Sequence, residues 1–477
     1  MATKYTDREI IDGVLEEFAQ ICSVPHPSGQ EKALADLLWE RLRAWGLRVQ
    51  QDAAGNLWAD LPTSEGRDGE GITALQAHLD MVPGTGDPAY APSRDRIETV
   101  VQDGWLTTGG RSTLGADCGA GLAVMLWLCR QEGWSHPPLR LVMTVEEEVG
   151  LRGAHALDPA ALAGVENLIN LDGFSADRMI VGSAGGLREH FCRAVRWESA
   201  PEGDAWRITV AGLTGGHSGY DIDKGRANAN LLMGMLLERL CGGRPAGFCG
   251  LTGGTSWNAI AASCTAELVT RAPVEAIVRR FQAEVCTQYA ETDPRVIVTA
   301  RRLPRPAQVW SEADGTALLD FLAGLSNGVL RRQVEGVALS SNLGRVTSDG
   351  GQLCLDCMMR SVDAAAEKRL HEARCKAAAR CGFTAQVHSR YPAWPVTPGA
   401  RLTGRLLEAF AQEGRTLRLD AAHVGLEVSV LREKKPDMDC VCLGMHLEDC
   451  HSVEERWELG SIPPFVRALL RCLAGEV

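Results

Sequence analysis

An apolar stretch that runs into three carboxylates, Leu141-Val142-Met143-Thr144-Val145-Glu146-Glu147-Glu148, with Val149-Gly150 behind it, is where this chain first offers chemistry. A buried strand that ends in charge needs a partner for that charge, because an unpaired buried carboxylate is costly. Neighbouring residues point in alternating directions, so one glutamate can hold a cation while the next takes a proton from a nearby water. A solvated acidic turn is the plainer reading of such a run. The β-prone residues before it and Gly150 after it weigh against that reading.

Four other segments carry similar signals. His78 and Asp80 follow the apolar strand Ile72-Thr73-Ala74-Leu75-Gln76-Ala77. Residues i and i+2 of extended backbone share a side, and a ligating imidazole commonly gives its second N–H to a carboxylate. His78 as ligand with Asp80 as its orienter fits that division; a surface turn is the alternative, since Pro83-Gly84 follow at once. Asp117 lies between Gly115 and the small residues Cys118-Gly119-Ala120-Gly121 that open a helix. There it can reach a cation or simply cap the helix; Cys118 reads as a small buried thiol. Asp172 closes the strand Leu168-Ile169-Asn170-Leu171. His451 stands before Ser452 and Glu455, whose spacing predicts a capping box and a helix start, and His446 is near enough to compete with it. Nitrogen and oxygen donors without thiolates suit zinc, manganese or cobalt. Two cations sharing a carboxylate would polarise a carbonyl and supply the nucleophile.

The elements that must place these residues alternate at first. Helical periodicity covers Ile10 to Cys22 and Glu31 to Trp45, strands follow at Leu57 to Leu61 and Ile72 to Ala77, then a helix from Gly119 to Gln131 and strands Leu139 to Val145 and Asn167 to Leu171. Strands alternating with helices predict an α/β fold, a mixed sheet covered by helices on both faces. The middle reads as an inserted α+β domain: strand Arg207 to Leu213, helix Ala227 to Leu240, a Gly-rich stretch, helix Val274 to Tyr289, and a mixed set ending near Ser389. Pro392, Pro395 and Pro398 mark the exit, and helix Ala400 to Gln412 with strand Asp439 to Leu443 resumes the first domain. The predicted division is a discontinuous first domain, 1–186 and 391–477, around an inserted domain at 187–390. Two successive separate domains are the other possibility.

At 477 residues the chain is too long for one compact core, and its composition, 45% hydrophobic and 23% charged, is that of an ordinary soluble protein. A net charge of -12 argues against nucleic acid or an anionic membrane as the main partner. The charged N-terminus lacks the apolar core of a signal peptide, and no apolar run reaches the roughly 18 residues that span a bilayer. The expected location is the cytoplasm, and the 16 cysteines are accordingly expected as reduced thiols. Cys354 and Cys357 form the one close pair, in a strand and without the second pair that a structural zinc site would need.

In sum these blocks resemble the dinuclear zinc peptidases related to aminoacylase and carnosinase, and among them the bacterial aminoacyl-histidine dipeptidases. The resemblance is nearly full length and rests on Gln76-Ala77-His78-Leu79-Asp80, Leu114-Gly115-Ala116-Asp117, Glu146-Glu147-Glu148-Val149-Gly150, Thr214-Gly215-Gly216-His217-Ser218-Gly219, Gly225-Arg226-Ala227-Asn228, His423-Val424-Gly425-Leu426-Glu427 and His451-Ser452-Val453-Glu454-Glu455-Arg456. It implies two divalent cations, zinc first, with manganese or cobalt as substitutes. Asp117 would bridge them, His78 and Asp172 completing one site and Glu148 and His451 the other. Glu147 would be the general base for a bridging water and Asp80 the carboxylate behind His78. The family's inserted domain acts as a lid and often mediates dimers, so a homodimer is expected. From that lid His217 would hold the substrate carbonyl or its oxyanion, and Asn258, Arg360 and His423 would meet the substrate. The implied reaction is hydrolysis of short peptides, Xaa-His dipeptides such as β-Ala-His foremost.

Two departures bear on the pocket. Gly173-Phe174-Ser175 stands where the family usually has an acidic residue soon after Asp172, and Glu146 stands where Asp is common. The rival activities are an N-acyl amino acid deacylase or carbamoylase of the same family, and a binding protein that keeps the fold without turnover. Gly324-Leu325-Ser326-Asn327-Gly328 matches a serine nucleophile elbow, but a helix precedes it where a strand is required. Gly84-Thr85-Gly86 follows a strand as a dinucleotide fingerprint would, but Pro88 and Pro92 prevent the helix that must come next.

Overall fold

The structure is a computed structural model that describes residues 4–242, 246–333, 336–349 and 351–477. The chain divides into two compact units: unit 1 is Met1–Ser183, Trp394–Ala422 and Leu426–Val477, and unit 2 is Ala184–Ala393 with His423–Gly425.

Unit 1 is built on an eight-stranded mixed sheet, as the α/β reading expects. Its centre is parallel: Ile72–His78 lies between Leu139–Thr144 and Val165–Gly173, and Asp439–Gly444 continues parallel to Val165–Gly173. These strands are almost continuously apolar because both faces are covered. Leu75, Ala77, Leu141, Met143 and Ile169 point into the main core, which the helices Asp7–Cys22, Ala116–Cys129, Arg401–Gln412 and Ile462–Ala474 complete. Gln76, Thr144 and Asn170 point to the opposite face, where the helix Glu427–Lys434 covers them. Parallel strands end at one edge of a sheet, and that edge is where such folds bind ligands. His78, the Glu146–Glu148 run and Asp172 all lie there.

Two glycines bring the helix Ala116–Cys129 to this edge. Gly115, at φ 71, turns the chain into the helix through a conformation that a side chain would strain. Gly121 lies so close to the Asp172 strand that an added Cβ would stand 2.6 Å from the Leu171 carbonyl oxygen. Asp117 thereby reaches the same edge as Asp172.

Unit 2 holds a nine-stranded antiparallel sheet. In order it runs Ile297–Leu303, Asp204–Ala211, Cys264–Thr270, Gly247–Gly253, Val337–Asp349, Gln352–Ser361, Gly185–Ala194 and Thr384–Tyr391, with Gly328–Arg332 also paired to Val337–Asp349. One face packs on helices, as in the edge-to-face contact of Phe191 with Phe321 at 5.1 Å between ring centroids.

Two expectations are corrected. Residues 449–455 form turns followed by the short strand Arg456–Glu458, and the last helix starts only at Ile462. Ser452 gives its hydroxyl to the Asp449 carbonyl, so there is no capping box, and Glu455 is used elsewhere. The cysteines are not all thiols: Cys192 and Cys354 are disulfide-bonded across neighbouring strands, 162 residues apart in sequence. Cys354 therefore pairs with Cys192 rather than with Cys357, which is a buried free thiol. Among the described residues no helix is long and apolar enough to cross a membrane.

Candidate metal centre

His78 ends its strand fully buried. Its Nδ1 donates to the Asp80 carbonyl at 2.9 Å and lies 3.4 Å from the Asp80 carboxylate; its Nε2 faces Asp117 at 3.0 Å and Asp172 at 3.5 Å. Asp80 thus fixes the imidazole chiefly through its backbone. Its carboxylate has a further task. Oδ1 accepts the Glu147 amide at 2.9 Å, and Oδ2 accepts the Glu148 amide at 3.1 Å and the Ser28 hydroxyl at 2.8 Å. One buried aspartate therefore sets both the histidine and the turn of the acidic run.

Asp117 sits between two histidines, with Oδ1 toward His78 and Oδ2 2.8 Å from Nε2 of His451. That same Nε2 is 2.8 Å from Glu148 Oε1. The loop carrying Asp117 is held by Glu455, whose carboxylate accepts the amides of Leu114 at 2.9 Å, Gly115 at 3.0 Å and Asp117 at 3.2 Å. His446 is not part of this set: it pairs with Glu448 at 3.3 Å and stacks on Trp105. Cys118 donates to the Leu171 carbonyl, and burial holds it well above the usual thiol range. Glu146 turns away toward Arg152 at 2.7 Å.

The electrostatics of the centre are strained in one sense. Burial would lower the His78 pKa, yet the charge of Asp172 and the hydrogen bond with Asp117 raise it well above the usual imidazole value. Burial also opposes charge on His451, but its bonds to Asp117 and Glu148 push it up to about 11. Asp117, despite burial, is held well below the carboxylate range by His451 and His78. The other acids go the opposite way. Burial and the charge of Asp117 raise Glu148, and the same two causes take Asp172 to about 8. Burial, with Glu148 and Asp172 nearby, raises Glu147 well above its ordinary value. The imidazole beside Glu148 Oε1, His451 at 2.8 Å, and the one beside Asp172 Oδ1, His78 at 3.5 Å, are both already bonded to Asp117. Two imidazoles cannot neutralise so many acids; added positive charge can.

The ligand atoms of Asp117, Glu148 and His451 lie within 4.8 Å of one another, as do those of His78, Glu147 and Glu148 and those of His78, Cys118 and Asp172. Hard oxygen and imidazole donors in overlapping groups, with two imidazoles shared among three carboxylates, fit divalent cations.

Behind the centre lies a network whose role the motifs did not suggest. Glu427 Oε2 accepts from Gln76 at 2.5 Å and from Thr144 at 2.8 Å, and Asn170 donates to Gln76 at 2.6 Å. Burial raises Glu427 to about 7. Polar residues inside otherwise apolar strands, Gln76 and Asn170, are the signal that could have revealed it. For Glu455 no local signal exists, since its partners lie about 340 residues away.

The other four expected site residues belong to unit 2 and gather within it. His217 Nδ1 accepts the Gly219 and Tyr220 amides at 3.2 and 3.3 Å, and its Nε2 is 3.5 Å from Arg360. Arg360 also donates to the Tyr391 hydroxyl at 2.5 Å. The Asn258 carbonyl accepts the Ser218 amide at 2.8 Å, and His423 Nε2 meets the Ser340 hydroxyl at 2.7 Å. Burial and the Arg360 charge lower His423 to about 4, so this imidazole is neutral.

The chain is similar to known proteins over almost its whole length. It is 28% identical over 455 residues to the cytosol non-specific dipeptidase of Escherichia coli strain K12, covering 93% of each. The crystal structure of aminoacylhistidine dipeptidase from Vibrio alginolyticus superposes with a TM-score of 0.83 at 27% identity, covering 98% of this chain and 96% of that one. The aminopeptidase PepT of Bacillus cereus shares the fold, with a TM-score of 0.61 at 16% identity, covering 97% of this chain and 98% of that one. Residues 74–475 match Peptidase family M20/M25/M40, and His78, Asp80, Asp117, Glu147, Glu148, Asp172 and His451 fall within that span. The chain belongs to this family, and it is a peptide hydrolase.

Proposed function

We propose that the chain is a metal-dependent dipeptidase that hydrolyses the amide bond of short peptides, preferring Xaa-His dipeptides such as β-Ala-His. The observation that carries the metal dependence is the crowding of three buried carboxylates, Asp117, Glu148 and Asp172, onto two shared imidazoles, His78 and His451. Two cations, zinc first and manganese or cobalt as substitutes, would be held with Asp117 shared, His78 and Asp172 on one side, Glu148 and His451 on the other. When bound they supply Lewis-acid polarisation of a carbonyl and a lowered pKa for water.

The protein's part is positioning and proton transfer. Glu147 is the general base: it takes the proton of the attacking water and returns it to the leaving amine. Its place is set by the hydrogen bond its backbone N–H gives to the Asp80 carboxylate, and its raised pKa suits a group that must hold a proton between the two steps. His217 is assigned to the substrate carbonyl and the oxyanion that develops there, and Asn258, Arg360 and His423 to the rest of the substrate. These four assignments, like the roles of unit 2 as a lid and of the chain as a cytoplasmic homodimer, rest on the family resemblance. The non-specific dipeptidase and the aminoacylhistidine dipeptidase named above point to dipeptides, and they divide on preference.

The test is a panel of dipeptides and N-acetyl amino acids, offered to chelator-treated protein before and after adding zinc, manganese or cobalt. Metal-restored cleavage centred on Xaa-His dipeptides supports the proposal in full. Equal cleavage of all dipeptides removes the histidine preference alone. Cleavage confined to acylated amino acids moves the reading to a deacylase, and no turnover with any metal removes it.

A further inference from the structure

The sheet face of unit 2 that turns away from its helices carries a cluster that peptide hydrolysis does not use. Phe191, Leu353 and Leu355 point into the core, so their neighbours His190, Cys192, Cys354 and Asp356 share the other face. Cys192 lies directly opposite Cys354, and Asp356 directly opposite His190. Cys192 Sγ is 2.9 Å from Nε2 of His190, while Nδ1 of the same ring donates to Asp356 at 2.9 Å. Asp356 is buried and fixed in turn by Arg345 at 2.8 Å. A β-bulge between Val387 and Ser389 turns His388 so that its ring stacks on His190, 4.5 Å between centroids.

This is the arrangement of a thiolate–imidazole metal site, not only of a disulfide. A ligating histidine needs one nitrogen free toward the ion and the other held by a carboxylate or carbonyl. His190 has its Nδ1 on Asp356 and its Nε2 beside the sulfurs, and the ligand atoms of His190, Cys192 and Cys354 lie within 4.8 Å of one another. We propose that, when the Cys192–Cys354 bond is reduced, Cys192, Cys354 and His190 bind a borderline-soft divalent ion such as Zn2+, so that the oxidised and metal-loaded forms are alternative states of one site. Two sulfurs and an imidazole are a donor set that zinc takes readily, with a fourth position left open. The exchange balances. A dithiol reductant gives two electrons and two protons, the S–S bond breaks to two thiols, and the reductant ends as its own disulfide. Binding of the ion then releases the two thiol protons. Asp356 and the two thiolates offset Arg345 and Arg188, the cations that face the cluster.

The test uses the full chain, chelator-treated, in oxidised and in dithiol-reduced form, with the thiol state checked by alkylation and mass spectrometry. Cobalt is added, and both the ions bound per chain and the near-ultraviolet thiolate-to-cobalt absorption are read. The reduced parent should take up an additional ion with that absorption, and the oxidised parent should not. The C192S/C354S variant should show neither in either state while cleaving peptides at the parent rate. His190→Ala should abolish or sharply weaken the additional binding, and Asp356→Asn should weaken it by roughly 10–100-fold. Equal uptake by the reduced and oxidised parent would overturn the proposal, as would thiolate absorption that survives in C192S/C354S. A disulfide that resists reduction until the chain unfolds would overturn it as well.

Discussion

Glu189 in unit 2 and Asp172 in unit 1 are both carboxylates on interior strands, and their surroundings treat them in opposite ways. Glu189 receives Arg374 at 2.5 Å and His371 at 2.8 Å, so its charge is matched by the chain itself. Asp314, also in unit 2, is treated likewise: burial would raise it, but Ser311, the Arg196 amide and Arg193 bring it down to about 2. Asp172 shares its nearby imidazole, His78 at 3.5 Å, with Asp117, and burial beside that second acid drives its pKa up to about 8. Glu189 and Asp314 are given cations by the fold, and Glu455 is given three amides instead; Asp172 has a share of one imidazole. Burial of charge alone therefore does not identify a functional site; several carboxylates crowded together with too little counter-charge among them point to one.

The comparison can be tested by breaking each side in turn. Glu147→Gln should cost the largest effect, a fall in turnover of roughly 10²–10⁴-fold with bound metal unchanged. A variant that cleaves dipeptides near the parent rate would remove Glu147 as the base. In unit 2, Arg374→Met takes the guanidinium from Glu189 and leaves it His371, and chemical denaturation should show a loss of about 3–5 kcal/mol with no change in metal content. Parent-like stability would mean that Glu189 is not held in the way the geometry implies.

Asp80→Asn should weaken metal binding by roughly 10–100-fold, because one amide of the acidic run loses its acceptor; titration calorimetry reads this directly. The last effect is the sharpest in sign. Asp172 takes up a proton on folding between its ordinary value of 3.8 and about 8, so the metal-free chain should lose stability as pH rises through that window. Asp172→Asn should remove that part of the slope, leaving the metal-free chain more stable than the parent at pH 9 while binding metal less well. Denaturation midpoints at pH 5 and pH 9 with chelator decide it; identical slopes for the two chains would refute the charge imbalance.

Much of the centre was legible because it sits at strand ends, where an abrupt change from apolar to acidic residues is a local pattern. His78-Leu79-Asp80 and the acidic run announce themselves that way. Residues 451–455 were misread for the complementary reason. Their Ser–x–x–Glu spacing has a local meaning, a helix cap, that the chain overrides by sending Glu455 to three amides of the Asp117 loop. The Cys192–Cys354 pairing was equally out of reach, since only the register of two strands puts those residues opposite each other. Nor does any local pattern say that His423–Gly425 should leave their neighbours and join unit 2. Contacts between distant segments decided all three.

The clamp of Glu455 on the Asp117 loop also orders events in time. A ribosome delivers His78, Asp117, Glu147, Glu148 and Asp172 early, then the whole of unit 2, and only afterwards His451 and the carboxylate that steadies Asp117. A chain synthesised only through Ala393 lacks both His451 and the Glu455 clamp. The full set of residues that forms the centre exists only once translation has passed Glu455.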